Sequence, residues 1–401
     1  MIFSKQVFIG LACASILFSC TPSEHMTESE NGIAIISDLH RNAHSTYLTK
    51  NNHGQAVLVW TEQDTASTEE KHFYFSIWND STGQFADKIK IPLQQNAALH
   101  TEGMPKVGFK NSGDIIAIYE IKVKSEFNPY AGEIHYIVSG DHGKSWTEPQ
   151  LVHTSKAPHT GRAFFDMITL SDGEIGVSWL GESHPDGGRP VLFAKTNAEN
   201  LFINETIVDS MACECCRTAI YADQSGSISI VYRDIIDASI RDISVSVSED
   251  YGKSFSKPLC FSGDAWNISG CPHNGPDVIS NGANIFASWF TGARESGVYF
   301  AKLNKQTLKA DKRLISKNGR NIQLAEDGGK VIIVFNEYYL KNEKRYSTIR
   351  AVVYPEMAKT EISGEAVYAH SPVVIACNNG KTIISWIEKI KGVEVVKYKN
   401  I

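Results

Sequence analysis

Apolar and polar positions along this chain alternate in short bursts rather than in helical stripes. One unit recurs: a Gly closes a turn, an alternating or wholly apolar run follows, and an aromatic residue stands six positions after the Gly. The copies are Gly54 to Trp60, Gly113 to Tyr119, Gly173 to Trp179, Gly226 to Tyr232, Gly329 to Phe335 and Gly380 to Trp386, with Gly282 to Trp289 longer by one residue. Their strands read AVLVW, IIAIY, IGVSW, ISIVY, IFASW, VIIVF and TIISW. They are rich in β-branched and aromatic residues and hold no Pro, as buried strands require. Seven copies spaced 47 to 60 residues apart predict an all-β chain, a β-propeller of seven blades with several strands each. Six blades is the alternative count. In the fourth unit, strands are expected at 217–222, 227–232, 242–248 and 257–261. The last unit, from about Ser371, has room for three strands only. Residues 33–36 are expected to supply its missing outer strand, which removes the open edge and closes the ring. Residues 32–401 are therefore read as a single propeller domain.

The N-terminus changes the picture of where the domain works. Lys5 precedes an apolar run from Val7 to Phe18, too short for a stable membrane span and placed like a secretion signal. It ends in Leu17-Phe18-Ser19-Cys20, which resembles the lipobox of bacterial lipoproteins. That resemblance implies a signal peptide at 1–19, lipid attachment at Cys20, and a polar tether over 20–31. An ordinary signal with an incidental Cys is the other reading. By known sorting rules, Thr21 after the Cys implies the outer membrane in a two-membrane bacterial envelope. Net charge is −6, with both signs dispersed. No clustered basic face suggests nucleic acid, and an anionic polymer is disfavoured by charge. The lipid is the only expected membrane contact.

Two turns carry a family resemblance. Ser139-Gly140-Asp141-His142-Gly143-Lys144-Ser145-Trp146 and Ser248-Glu249-Asp250-Tyr251-Gly252-Lys253-Ser254-Phe255 both match the Asp-box, or BNR repeat, of sialidase-like propellers. In that family the motif is structural and lies away from the active face. Asp141, Gly143 and Trp146, with Asp250, Gly252 and Phe255, are carried over in that role only. The resemblance also implies an exo-glycosidase of sialidase type as one possible activity. Those enzymes set arginines around a sugar carboxylate and use a Tyr–Glu nucleophile pair. The candidates here are Arg41, Arg162, Arg217 and Arg320, with Tyr232, Asp234 and Glu337. The family's Phe-Arg-Ile-Pro opening is matched only by the Arg of Leu39-His40-Arg41-Asn42, and sialidases have six blades. A narrower set, Cys213-Glu214-Cys215-Cys216-Arg217 with Tyr232-Arg233-Asp234 and Gly270-Cys271-Pro272, resembles bacterial sialidase-like proteins of no secure function.

Each stretch just before an inner strand should lie at one end of the channel, the top. Six of the seven stretches hold His or Cys: His40, His100, His159, Cys213/Cys215/Cys216, Cys271 with His273, and His370. Imidazole and thiolate are ligands of copper and zinc. With nearby arginines they also suit a small anion or glycan. Disulfides are the other use of the cysteines, with Cys271 stapled to Cys213, Cys215 or Cys216, or with vicinal Cys215 and Cys216 closed on each other under strain. Cys377 is expected as a buried free thiol. Three functions stay open: an envelope protein binding a metal, small anion or glycan at its top face, a sialidase-type hydrolase, and an interaction scaffold.

Overall fold

A computed structural model describes residues 32–401 apart from 68–69, 158, 185–186, 238, 366 and 379. The expected signal, Cys20 and the tether lie outside the described residues. No helix among those described is long and apolar enough to cross a membrane.

The strands form seven antiparallel sheets arranged as a seven-blade propeller. The inner strands are Arg41–Lys50, Lys106–Phe109, Ala163–Thr169, Ala219–Ala222, Asp277–Asn281, Gly319–Asp327 and Ala369–Ala376. Each touches the next around the ring, and the last touches the first. Blade four continues with Ile228–Arg233, Ile243–Ser248 and Leu259–Cys260, close to the spans read from sequence. Ile33–Ile35 pairs antiparallel with Val393–Asn400, so the N-terminal strand is the outer strand of blade seven, as expected.

The repeated aromatics explain why this pattern folds this way. Trp60, Tyr119, Trp179, Tyr232, Trp289, Phe335 and Trp386 are each at most 1 % exposed on the second strand of their blades. They belong to apolar slabs between successive blades. One slab joins blade seven to blade one through Trp60, Trp78, Tyr398 and Val396. Burying a side chain of this size stabilises by about 1.5–3 kcal/mol, so the ring is held blade against blade.

The two Asp-boxes are built alike. Ser139 Oγ donates to Asp141 at 2.8 Å, and the Ser145 amide and hydroxyl donate to the same carboxylate at 2.9 and 2.6 Å. Ser248, Asp250 and Ser254 repeat these bonds. The Ser145 and Ser254 bonds hold Asp141 and Asp250 at about 2. Trp146 packs into the slab between blades one and two, and Phe255 meets Phe193 edge to face at 5.4 Å.

A second recurrent feature shapes the top. The inner strands of blades one, three, six and seven slip register near their start. In the last three, the bulge holds a non-Gly residue at positive φ: Phe164, Asn321 or Ser371. Bulges re-aim side chains at a sheet margin, and they do so here around the channel mouth.

Candidate functional site

The loop before blade two crosses the channel mouth. Its single 3-10 turn, Thr101–Gly103, carries Glu102, a carboxylate only 4 % exposed. Glu102 accepts from the Arg217 amide and guanidinium, both at 3.0 Å, and from the Gly275 amide at 2.8 Å. Blades two, four and five are thereby tied together at the top. A Cβ on Gly275 would stand 2.5 Å from the Arg217 side chain, so this approach needs glycine.

Below this crossing is a central cavity of about 740 Å³, lined from Met104 and Arg217 down to Lys50, Asp223 and Asn281. Its upper part holds Lys106, whose ammonium donates to the Phe165 carbonyl at 2.9 Å and faces Asp166 at 3.6 Å. Asp166 and Asp277 each accept a backbone amide of the next inner strand, from Ile220 and Leu324. Burial pushes Asp277 up to about 7, against the pull of Arg217.

Above the crossing, on the loop from blade three to blade four, sit Cys213, Cys215 and Cys216. They are 2–4 % exposed, and their sulfurs all lie within 4.8 Å of one another. Cys213 and Cys215 are 3.9 Å apart. The Cys213 amide donates to the Arg233 carbonyl at 2.8 Å, which pins the loop to blade four. Phe164, from the bulge of blade three, packs against the cysteine cluster. Hydrogen bonds from Cys215 and Cys216 hold Cys213 toward the thiolate, while its own two partners are pushed the other way.

Two buried arginines act on this cluster. Arg233 favours ionised Cys213 and Cys216, and Cys215 acts in turn on Arg189. Their hydrogen bonds go to main-chain carbonyls, and Arg189 also feels the charges of Glu120 and Glu214, each more strongly than that of Cys215. Arg233 donates to the carbonyls of Arg241, Asn274 and Phe290, and its Nε is buried with no partner among the described residues. Arg189 donates to the carbonyls of Gly161, Leu180, Gly181 and Glu214. Neither forms an ion pair with a carboxylate among the described residues.

The histidines do not join the cysteines. His100 pairs with Glu120 at 3.4 Å and lies 5.7 Å from the Phe164 ring. Burial works most strongly against its charged form, but the bond to Glu120 together with the charges of Glu120 and Glu102 raises its pKa overall. His273 also lies near Phe164, at 6.5 Å, and is bonded to the Cys271 carbonyl. His159 is exposed against Phe127, His370 bonds Glu394, and His40 is exposed. The expected ring of imidazoles is thus spread around the rim, each engaged or solvated separately. Cys271 is exposed and free, so the expected staple to blade four is not formed, and none of the described cysteines is in a disulfide. Cys377 is a buried free thiol. A second cluster, Asp64, Glu70 and His72, is already engaged, since Arg41 binds Asp64 at 2.6 Å.

The arginines expected to clamp a carboxylate are tied to separate partners. Arg41 bonds Asp64, Arg217 bonds Glu102, and Arg162 bonds Ser155. Arg320 bonds its neighbour's carbonyl and covers Phe290. Tyr232 and Glu337 do not meet. Tyr232 is buried between blades three and four and bonds Ser246, whereas Glu337 in blade six holds Ser316, Arg350 and Lys359. Asp234 accepts from Ser244 at 2.6 Å, and burial raises its pKa. Sequence reasoning missed Phe164 and Arg189 altogether. It quoted Arg233 without a role.

The BNR repeat-like domain family matches residues 49–269. No curated protein matches the chain. Among solved structures, a Dyadobacter fermentans protein of unknown function superimposes with TM-score 0.51 at 13 % identity, covering 92 % of this chain and 97 % of that one. The intramolecular trans-sialidase of Ruminococcus gnavus gives 0.53 at 9 %, covering 92 % and 96 %. Polysaccharide lyase Uly1 gives 0.55 at 12 %, covering 95 % and 94 %. At such identities the likeness is one of fold. With more than half of its length matched by the family and seven blades in place, this chain belongs to the BNR repeat-like family of sialidase-like β-propellers.

Proposed function

We propose that this propeller is a bacterial envelope lipoprotein, anchored through Cys20, that holds a soft metal ion on Cys213, Cys215 and Cys216. One observation carries the metal reading: three sulfurs from one short loop lie within 4.8 Å of one another and are shielded from water. Thiolates in that arrangement are ligands for copper or zinc. Binding displaces the thiol protons, so uptake weakens as pH falls. Arg189 and Arg233 favour the thiolates, and Phe164 covers them. The sialidase-type reading gains nothing from the arginines, which are committed elsewhere. A glycan at the top face is supported only by what structurally similar proteins act on.

The test is elemental analysis of the protein purified from membranes under reducing conditions without chelator. Near-stoichiometric copper or zinc, lost in Cys213→Ser and Cys216→Ser but kept in His159→Ala, is the expected result. A metal-free protein that takes up neither ion on reconstitution overturns it. Cys20→Ala should release the protein from the membrane fraction.

A further inference from the structure

We infer that the three-cysteine centre is built for a monovalent ion, Cu(I), in trigonal all-sulfur coordination. This rests on the metal reading above and narrows it to one ion.

Ligand number comes first. Zinc in structural sites takes four ligands in a tetrahedron, and in open sites adds water to three. Here no fourth His, Cys, Asp or Glu atom joins the cluster among the described residues. Water is disfavoured as a fourth ligand, because the sulfur-bearing residues are 2–4 % exposed and Phe164 packs on them. Cu(I) is soft and is well served by thiolates alone.

One cation stands beside the cluster. Arg233 is buried, its carbonyl holds the Cys213 amide, and its Nε has no partner among the described residues. Arg189 contributes less, because Glu120 and Glu214 act on it more strongly than Cys215 does.

Geometry also suggests why Phe164 is strained. It sits at φ 62, a backbone state uncommon for aromatic residues. Its amide is held by Glu120 and its carbonyl by the Thr218 amide, so the ring is fixed against the cysteine cluster. His100 and His273, from two different loops, both lie near that ring.

The experiment uses the full chain, reduced and handled without oxygen. It is titrated with Cu(I) and separately with Zn(II), each against a chromophoric chelator for that ion, and the loaded protein is examined by X-ray absorption. The expected result is one Cu(I) per chain with three sulfur neighbours, and Zn(II) held at least a hundredfold more weakly. Arg233→Gln should weaken Cu(I) retention tenfold or more, with Arg233→Lys largely restoring it. One Zn(II) held more tightly than Cu(I), or four ligands on the bound ion, overturns this inference and leaves the metal site standing. Binding of neither ion overturns both. If the Arg233 variants do not fold, the coordination number of the unaltered protein decides the matter.

Discussion

Glu102→Ala is the perturbation that tests how the top of the ring is held. Glu102 comes from the loop before blade two, yet the groups that donate to it are in blade four and the approach to blade five. Removing the carboxylate takes the ion-pair partner from the Arg217 guanidinium, 12 % exposed in its side chain, leaves it only the more distant charges of Asp277 and Asp166, and orphans the amides of Arg217 and Gly275. Breaking a buried ion pair from one side costs about 3–5 kcal/mol. Glu102→Gln keeps the shape and an acceptor but not the charge, and should cost about 1.5–3 kcal/mol, the worth of a hydrogen bond to a charged group. Equilibrium urea unfolding followed by tryptophan fluorescence reads both as shifts in midpoint at constant slope. Glu365→Ala is the control, since Glu365 makes its contact with Lys341 in the open. The stranded charge has its own signature: adding Arg217→Met to Glu102→Ala should recover part of the loss. The reasoning is refuted if Glu102→Ala shifts the midpoint no more than Glu365→Ala does.

Two other outcomes follow from geometry. Gly252 sits at φ 83, and a Cβ there would stand 2.1 Å from the Phe193 ring. Gly252→Ala should cost about 1–2 kcal/mol for the backbone and about 1–3 more for overpacking. Gly329→Ala, at φ 86 with open space around it, should show the backbone cost alone; equal losses in thermal melts would contradict the packing argument. His153 is 3 % exposed, and desolvation, then Arg162, lowers its pKa from 6.5 to about 4. Between those values the unfolded chain binds the extra proton, so stability falls as pH drops through that window, by about 3 kcal/mol in all. His153→Gln should flatten this part of a stability–pH curve, and an unchanged slope would assign the dependence elsewhere.

The ring was legible in the sequence because its period is carried by residues that the fold cannot do without. Trp60, Trp179, Trp289 and Trp386 each mark the buried centre of a second strand, and a Gly marks the turn before it. The closing strand was legible by subtraction, since the last unit lacked one. The candidate site was legible only where its residues are neighbours in the chain, as in Cys213, Cys215 and Cys216. A repeated position at each blade opening places His40, His100, His159 and His370 on one rim, but equal height on a ring is not proximity. Glu102 and Arg217 meet across 115 residues, with no local pattern to announce it. Arg189 and Arg233 escape notice for another reason: they donate to main-chain carbonyls, which every residue has.

The pairing of Ile33 with Lys399 sets the order in which this protein can be made. Ile33–Ile35 must wait, with its amides and carbonyls unmatched, until its distant partner strand Val393–Asn400 has arrived. Closing so long a loop is entropically costly and slow. During that interval both the waiting strand and the incomplete blade seven are open edges, where a second chain can add. The step most exposed to failure in the life of this protein is therefore completion of the circle. Conditions that prolong it, such as high concentration during refolding, should yield chains joined end to end through blade seven.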